Sequence, residues 1–173
     1  MSGHNKWSKI KRQKEATDAQ KSKLFGKLLR SISMEAKKSG PSSPGVRTAV
    51  EKARAANVPV ENIERAIKKA SESNESLETI VYEAYGPGGC AIIIEALTSN
   101  RNKAAQEIKH ILNVHNLELA AMGSAAWAFE KTQEGFSPKN TLPLSEEDGN
   151  TLSLLLNDLE ESDEVQEVYT NAE

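Results

Sequence analysis

Three histidines, one cysteine, a glycine-rich turn and two runs of carboxylates are the residues of this 173-residue chain whose types could support catalysis or hold a metal. His4, His110 and His115 stand apart from Cys90 and from one another, except that Glu107 and His110 fall one helical turn apart. Two potential ligands fall short of the set a zinc site needs, and His110, opposite Ile108, reads as solvated. Cys90 opens an apolar run and reads as a small buried hydrophobe, since a nucleophilic thiolate needs an accessible, electropositive setting. Gly86-Pro87-Gly88-Gly89 lacks the Gly-Lys-Ser/Thr ending of a phosphate loop and reads as a hairpin turn. Glu146, Glu147 and Asp148 complement a helix dipole, and Glu160, Glu161, Asp163 and Glu164 could bind a divalent cation but better suit a solvated turn. No nucleophile, base and orienting group come together. The expectation is therefore no enzyme, no catalytic residue, no metal, no cofactor and no small-molecule substrate.

Charge is the more informative chemistry. Residues 1–70 hold 17 Lys and Arg against 6 Asp and Glu; the whole chain holds 22 and 25, so 5 and 19 remain for residues 71–173. The net charge of −3 thus hides a first segment at +11 and a second at −14. Segregation of this kind points to a polyanionic partner for one half. The arm carrying Lys6, Lys9, Lys11, Arg12 and Lys14 would release counterions at phosphates, and Trp7 could stack on a base. Lys21, Lys23, Lys27 and Arg30 extend that surface, and Arg54, Arg65, Lys68 and Lys69 add to it. The expected partner is nucleic acid, either DNA or ribosomal RNA on the ribosome. An adaptor whose basic arm meets an acidic protein surface is the competing reading.

The elements that must position these groups follow from periodicity. Thr17 and Gln20 form a capping box ahead of a helix from about Asp18 to Lys38, with a stripe of Leu24, Leu28 and Ile32 flanked by Phe25, Leu29 and Ala36. Ser39 to Gly45, rich in Pro and Gly, stops it. A second helix from about Val46 to Ala56 buries Val46, Ala49, Val50 and Ala53. After Asn57-Val58-Pro59, a third puts Val60, Ile63, Ala66, Ile67 and Ala70 on one face. The pair superficially resembles a helix-turn-helix, but the mixed charges of the third helix suit groove reading poorly.

Ser71 to Ser76 is a polar linker, dividing residues 1–75, a basic arm and three-helix bundle, from residues 76–173, an acidic α+β domain. Strands are expected at Ile80–Tyr85, Cys90–Leu97, Ser124–Phe129, with Trp127 and Phe129 on one side, and Val165–Tyr169. Helices are expected from about Asn100 to Asn116, and after a Ser145–Asp148 capping box with Leu152, Leu155, Leu156 and Leu159 inward. That order suits helices on one face of a mostly antiparallel sheet, an α/β-sandwich of ferredoxin-like type. The lone cysteine fits a reducing compartment. The longest apolar run, Cys90 to Ile94, is broken by Glu95, and no signal peptide is evident, so a cytoplasmic protein without membrane contact is expected.

Six ordered motifs carry a resemblance: Gly3-His4-Asn5-Lys6-Trp7; Lys23-Leu24-Phe25-Gly26-Lys27-Leu28; Ala53-Arg54-Ala55-Ala56-Asn57-Val58-Pro59; Asn62 to Lys69; Tyr85-Gly86-Pro87-Gly88-Gly89; and Thr98-Ser99-Asn100-Arg101-Asn102-Lys103. With the ending Asp158 to Asn171, the chain resembles the YebC/PmpR family over nearly its whole length. The resemblance implies a helical N-terminal domain followed by α/β domains, a cytoplasmic location and no catalysis. Members carry the label of probable transcriptional regulators that bind DNA. Others are similar to translation factors, including the mitochondrial translational activator of cytochrome oxidase subunit one, which act on the ribosome where proline-rich peptides are made. The family motif also nominates Arg101 and Lys103 as nucleic-acid contacts. Typical members insert a further α/β domain between the segments matching Lys131 and Ser137; here only Thr132 to Phe136 joins them, so the chain reads as a short form.

Overall fold

Helix α1 (Asp18–Ser39) ends where Gly40, at φ 90°, turns the chain, and α2 (Pro44–Ala55) begins on Ser43, whose hydroxyl accepts from the Val46 amide at 3.3 Å. Pro44 sits inside the first turn, so α2 starts two residues before the expected Val46: proline at the first helical position gives up an amide that has no helical partner there. Helix α3 (Val60–Glu72) follows the Asn57-Val58-Pro59 turn and runs past Ser71, where linker was expected. These elements belong to a computed structural model that describes residues 18–173; Thr17 and the arm lie outside the described residues. The described residues divide into two compact units, 18–78 and Thr79–Glu173.

The bundle core is Ile32, Ala49, Ala53, Val58, Ile63 and Ala66, with Phe25, Leu28, Leu29, Val50 and Ile67 against it. Alanines at the contacts let the three backbones approach closely. Two expected core residues are exposed. Leu24 is eight positions from Ile32, which rotates it about 80° off the buried stripe, and Val60 is left outside because Val58, in the turn, fills that end of the core.

In the second unit β1 (Glu78–Tyr85) and β2 (Ala91–Thr98) flank a one-turn 3-10 helix at Pro87–Gly89. Glycine is required at position 88: φ is 68°, and a Cβ would stand 2.7 Å from Leu144 Cδ2. Helix α4 (Arg101–Val114) follows, capped by Asn100, whose side chain accepts from the Lys103 amide at 3.1 Å. The hairpin β3 (Phe129–Thr132) and β4 (Gly135–Pro138), helix α5 (Glu146–Glu161) and β5 (Val165–Thr170) complete the unit. The Ser145 hydroxyl accepts from the Asp148 amide at 3.1 Å, as the capping box predicts.

The main sheet is ordered β1-β2-β5, with β2 and β5 antiparallel and a register shift at Glu95/Ala96. Central strand β2 is buried on both faces, and alternation sends its residues to two cores. Ile92, Ile94 and Ala96 meet Ala104, Ile108 and Leu112 of α4 and Leu152, Leu155 and Leu159 of α5; Ala91 and Ile93 meet Ala125, Ala128, Phe129 and Tyr169. Helices cover one face of this α+β sheet, as expected; the hairpin region covers the other.

One strand expectation fails. Ser124 to Ala128 is not extended: Ala126–Ala128 forms a 3-10 turn and the strand begins at Phe129. The cause is Glu83, a buried carboxylate on β1. Its Oε2 accepts from the Gly123 amide at 2.6 Å, and its Oε1 from those of Ala125 and Ala126 at 3.0 and 2.6 Å. Three amides converging on one anion bend the chain, so Phe129 points into the core while Trp127 is left outside.

Candidate nucleic-acid interface

Helices α1 and α3 leave between them a groove of about 570 Å³, lined also by the segment after α3. Its walls are cationic: Arg30, Lys37 and Lys38 come from α1, Arg65 and Lys69 from α3, against the single carboxylate of Glu75. The spacing explains the convergence. Arg30 and Lys37 are seven residues apart, and Arg65 and Lys69 four, so each pair shares a helix face. The floor is apolar, from Leu29, Met34, Ala66, Ala70 and Leu77.

Two polar contacts fix the groove's shape. Ser33 Oγ donates to the Ala66 carbonyl at 3.2 Å, tying α1 to α3. Lys37 Nζ donates to the Ser73 carbonyl at 2.7 Å and also to that of Glu75, holding residues 73–75 against α1. Like charges four residues apart on a helix cost a few tenths of a kcal/mol. Five cations around one apolar-floored groove therefore gain from an anion seated among them, and phosphate suits arginine's planar fork.

Of the residues predicted from sequence, Arg30, Arg65 and Lys69 are brought together here. Lys21, Lys23 and Lys27 lie on α1 outside the groove lining, Arg54 is exposed on α2, and Lys68 is exposed on α3. Arg101 and Lys103 belong to the other unit, at the start of α4. Lys103 Nζ lies 3.1 Å from Glu164 Oε1, a hydrogen-bonded pairing that raises the lysine pKa. Lys6, Trp7, Lys9, Lys11, Arg12 and Lys14 fall outside the described residues. Sequence reasoning missed Lys37 and Lys38, which look like ordinary lysines ending a helix; the seven-residue interval from Arg30 to Lys37 was the available signal.

Among the described residues, no group of three or more His, Cys, Asp and Glu side chains could hold a metal. His115 Nε2 lies 2.6 Å from Asp158 Oδ2, joining α4 to α5, and His110 is exposed. Cys90 is buried, and burial pushes its thiol pKa up. No described helix is long and apolar enough to cross a membrane.

Known families match both units. Residues 5–73 match the TACO1/YebC protein N-terminal domain, and residues 77–135 the TACO1/YebC second and third domain. The chain belongs to the TACO1/YebC family. A "probable transcriptional regulatory protein" of Pseudothermotoga lettingae is 37% identical over 238 aligned positions, covering 100% of this chain and 94% of the relative. One of the same description from Fervidobacterium nodosum is 44% identical over 173, covering 95% and 68%. Among solved structures, the conserved hypothetical protein Aq1575 from Aquifex aeolicus superposes with a TM-score of 0.82 at 31% identity, covering 97% of this chain and 96% of that one.

This TACO1/YebC chain is shorter than its relatives. All 173 residues lie within the 238 positions aligned with the Pseudothermotoga protein, so 65 positions of that alignment have no counterpart here. The second-and-third-domain match stops at residue 135, inside the β3–β4 hairpin. There Thr132 pairs with Gly135, and the strands join through Gln133 and Glu134 alone.

Proposed function

We propose that this protein is a non-enzymatic, cytoplasmic regulator of gene expression whose arm and helical bundle grip the phosphates of nucleic acid, as a DNA-binding transcriptional regulator. The observation that carries this reading is the convergence of Arg30, Arg65 and Lys69, with Lys37 and Lys38, on one groove between α1 and α3. Relatives described as probable transcriptional regulatory proteins support it. Arm and bundle would divide the work: the arm supplies sequence-independent attraction, and the groove holds phosphate in a fixed frame.

The test is binding of a labelled DNA duplex across a salt series, with ribosome co-sedimentation in parallel. Neutralising about six phosphates gives a slope of log affinity on log salt near −5. Duplex binding with that slope, and no ribosome binding that survives excess duplex, is the expected result. Saturable ribosome binding that resists the duplex would make the chain a ribosome-bound translation factor instead. Binding to neither would leave the protein-adaptor reading.

A further inference from the structure

We infer that the face of the second unit around Trp127 is a docking platform for a basic segment of a protein partner, with an arginine guanidinium stacked on the indole. Large apolar groups are normally withdrawn from water, yet here Trp127 is 63% exposed, Met122 94% and Tyr85 38%. The exposure is built in. Trp127 Nε1 donates to the Tyr85 hydroxyl at 3.1 Å, and that hydroxyl donates to the Ser124 carbonyl. Beneath them the Glu83 carboxylate, itself 5% exposed, holds the amides of Gly123, Ala125 and Ala126. The indole's polar edge is thus satisfied within the fold, and its ring face is what it offers. A ring already fixed loses little entropy when a partner stacks on it.

Charge selects the partner. Thr79–Glu173 holds 16 Asp and Glu against 5 Lys and Arg, a net charge of −11. Phosphates approaching this unit are repelled and cations attracted. A guanidinium is the cation best suited, because it is planar, weakly hydrated and stacks on aromatic faces. Met122, five residues before Trp127 and exposed, has the unbranched, adaptable side chain that suits such a surface. With the bundle on nucleic acid, this face would let the chain bridge a basic protein to that site.

The experiment uses the full chain carrying Trp7→Phe, which leaves Trp127 as the single tryptophan. It is titrated with a fluorescein-labelled Arg-Gly-Gly repeat peptide, with versions carrying Lys or Glu for Arg, and with oligouridylate. We expect saturable change in Trp127 emission with the Arg peptide, several-fold weaker binding of the Lys version and none of the Glu version. Peptide anisotropy should report roughly tenfold weaker binding to Trp127→Ala and partial retention in Trp127→Phe. The thermal transition and the duplex affinity of Trp127→Ala should match the parent's. Equal peptide binding by Trp127→Ala, no response to the Arg peptide, or a response to oligouridylate in its place would overturn the inference. So would a change in Trp127 emission of the peptide-free chain when Lys9, Lys11, Arg12 and Lys14 become Gln, which would give the face to the chain's own arm.

Discussion

The helical unit and the sheet unit use charge in opposite ways. In the bundle the core is alanine-rich and apolar, and Arg30, Arg65 and Lys69 collect at a groove wall whose lining includes the carboxylate of Glu75. In the sheet unit several acids are put to internal use: Glu83 shapes a loop, Glu164 meets Lys103, Asp158 meets His115, and Glu107 accepts from Ser162 Oγ at 2.6 Å. Charge gathered along a surface groove is open to a partner from solution, while charge buried among amides is structural. The same chain contains both, and the two respond differently to substitution.

Glu83→Ala should have the largest effect. Three backbone amides lose an anionic acceptor, at a cost of about 3 kcal/mol or more, since hydrogen bonds to charged groups are worth roughly twice neutral ones. The expected outcome is a lowered thermal transition of the sheet unit, followed by Trp127 fluorescence, with duplex affinity kept at temperatures where that unit stays folded. A parallel loss of duplex binding there would break the division between the two kinds of charge. Next in size is the triple change Arg30→Gln, Arg65→Gln and Lys69→Gln. Duplex binding across the salt series should lose about 3 units of slope, close to 0.9 per phosphate contact, with the melt of the sheet unit unmoved. An unchanged slope would remove the groove from the interface.

Alkaline pH separates the units without mutation. All three tyrosines and the one cysteine lie beyond residue 78. Burial raises the pKa of Tyr169 and of Cys90 above their ordinary values of 10.0 and 9.0. For a group with a raised folded-state pKa, the stabilising contribution is fully present below the unfolded value and lost as pH rises towards the folded one. The sheet unit should therefore weaken from about pH 9 upward, in a pH-titrated melt read at Trp127. Tyr169→Phe should flatten the part of that loss above pH 10.

How much of this was legible in the sequence depends on whether a signal is local. The three bundle helices, the Ser145 cap and the inward face of α5 follow from residues within a turn of one another, and they stand where periodicity puts them. The Ser124 to Ala128 turn does not, because its cause lies 40 residues earlier in Glu83. Alternating apolar residues there look like a strand until the distant carboxylate gathers their amides. The groove was half legible: Arg30, Arg65 and Lys69 stand out by type, but their convergence depends on how α1 packs against α3. Lys37 and Lys38, conventional at a helix C-terminus, give no sign of the carbonyls that Lys37 captures.

The smallest predicted effect gives the cleanest comparison, because one chemical change is made once in each unit. Ser43 caps α2 through the Val46 amide at 3.3 Å, and Ser145 caps α5 through the Asp148 amide at 3.1 Å. Replacing either by alanine should cost about 1 kcal/mol. Ser145→Ala should sit at the upper end of its range, because Ser145 Oγ also donates to Asp148 Oδ2 at 3.0 Å and three acids crowd that first turn. Native-state hydrogen exchange would follow α2 and α5 amides separately. If the units are energetically independent, Ser43→Ala speeds exchange in the bundle alone and Ser145→Ala in the sheet unit alone. If each substitution speeds exchange in both, the units share one cooperative transition, and nucleic acid bound at the bundle would then stabilise the Trp127 face by mass action.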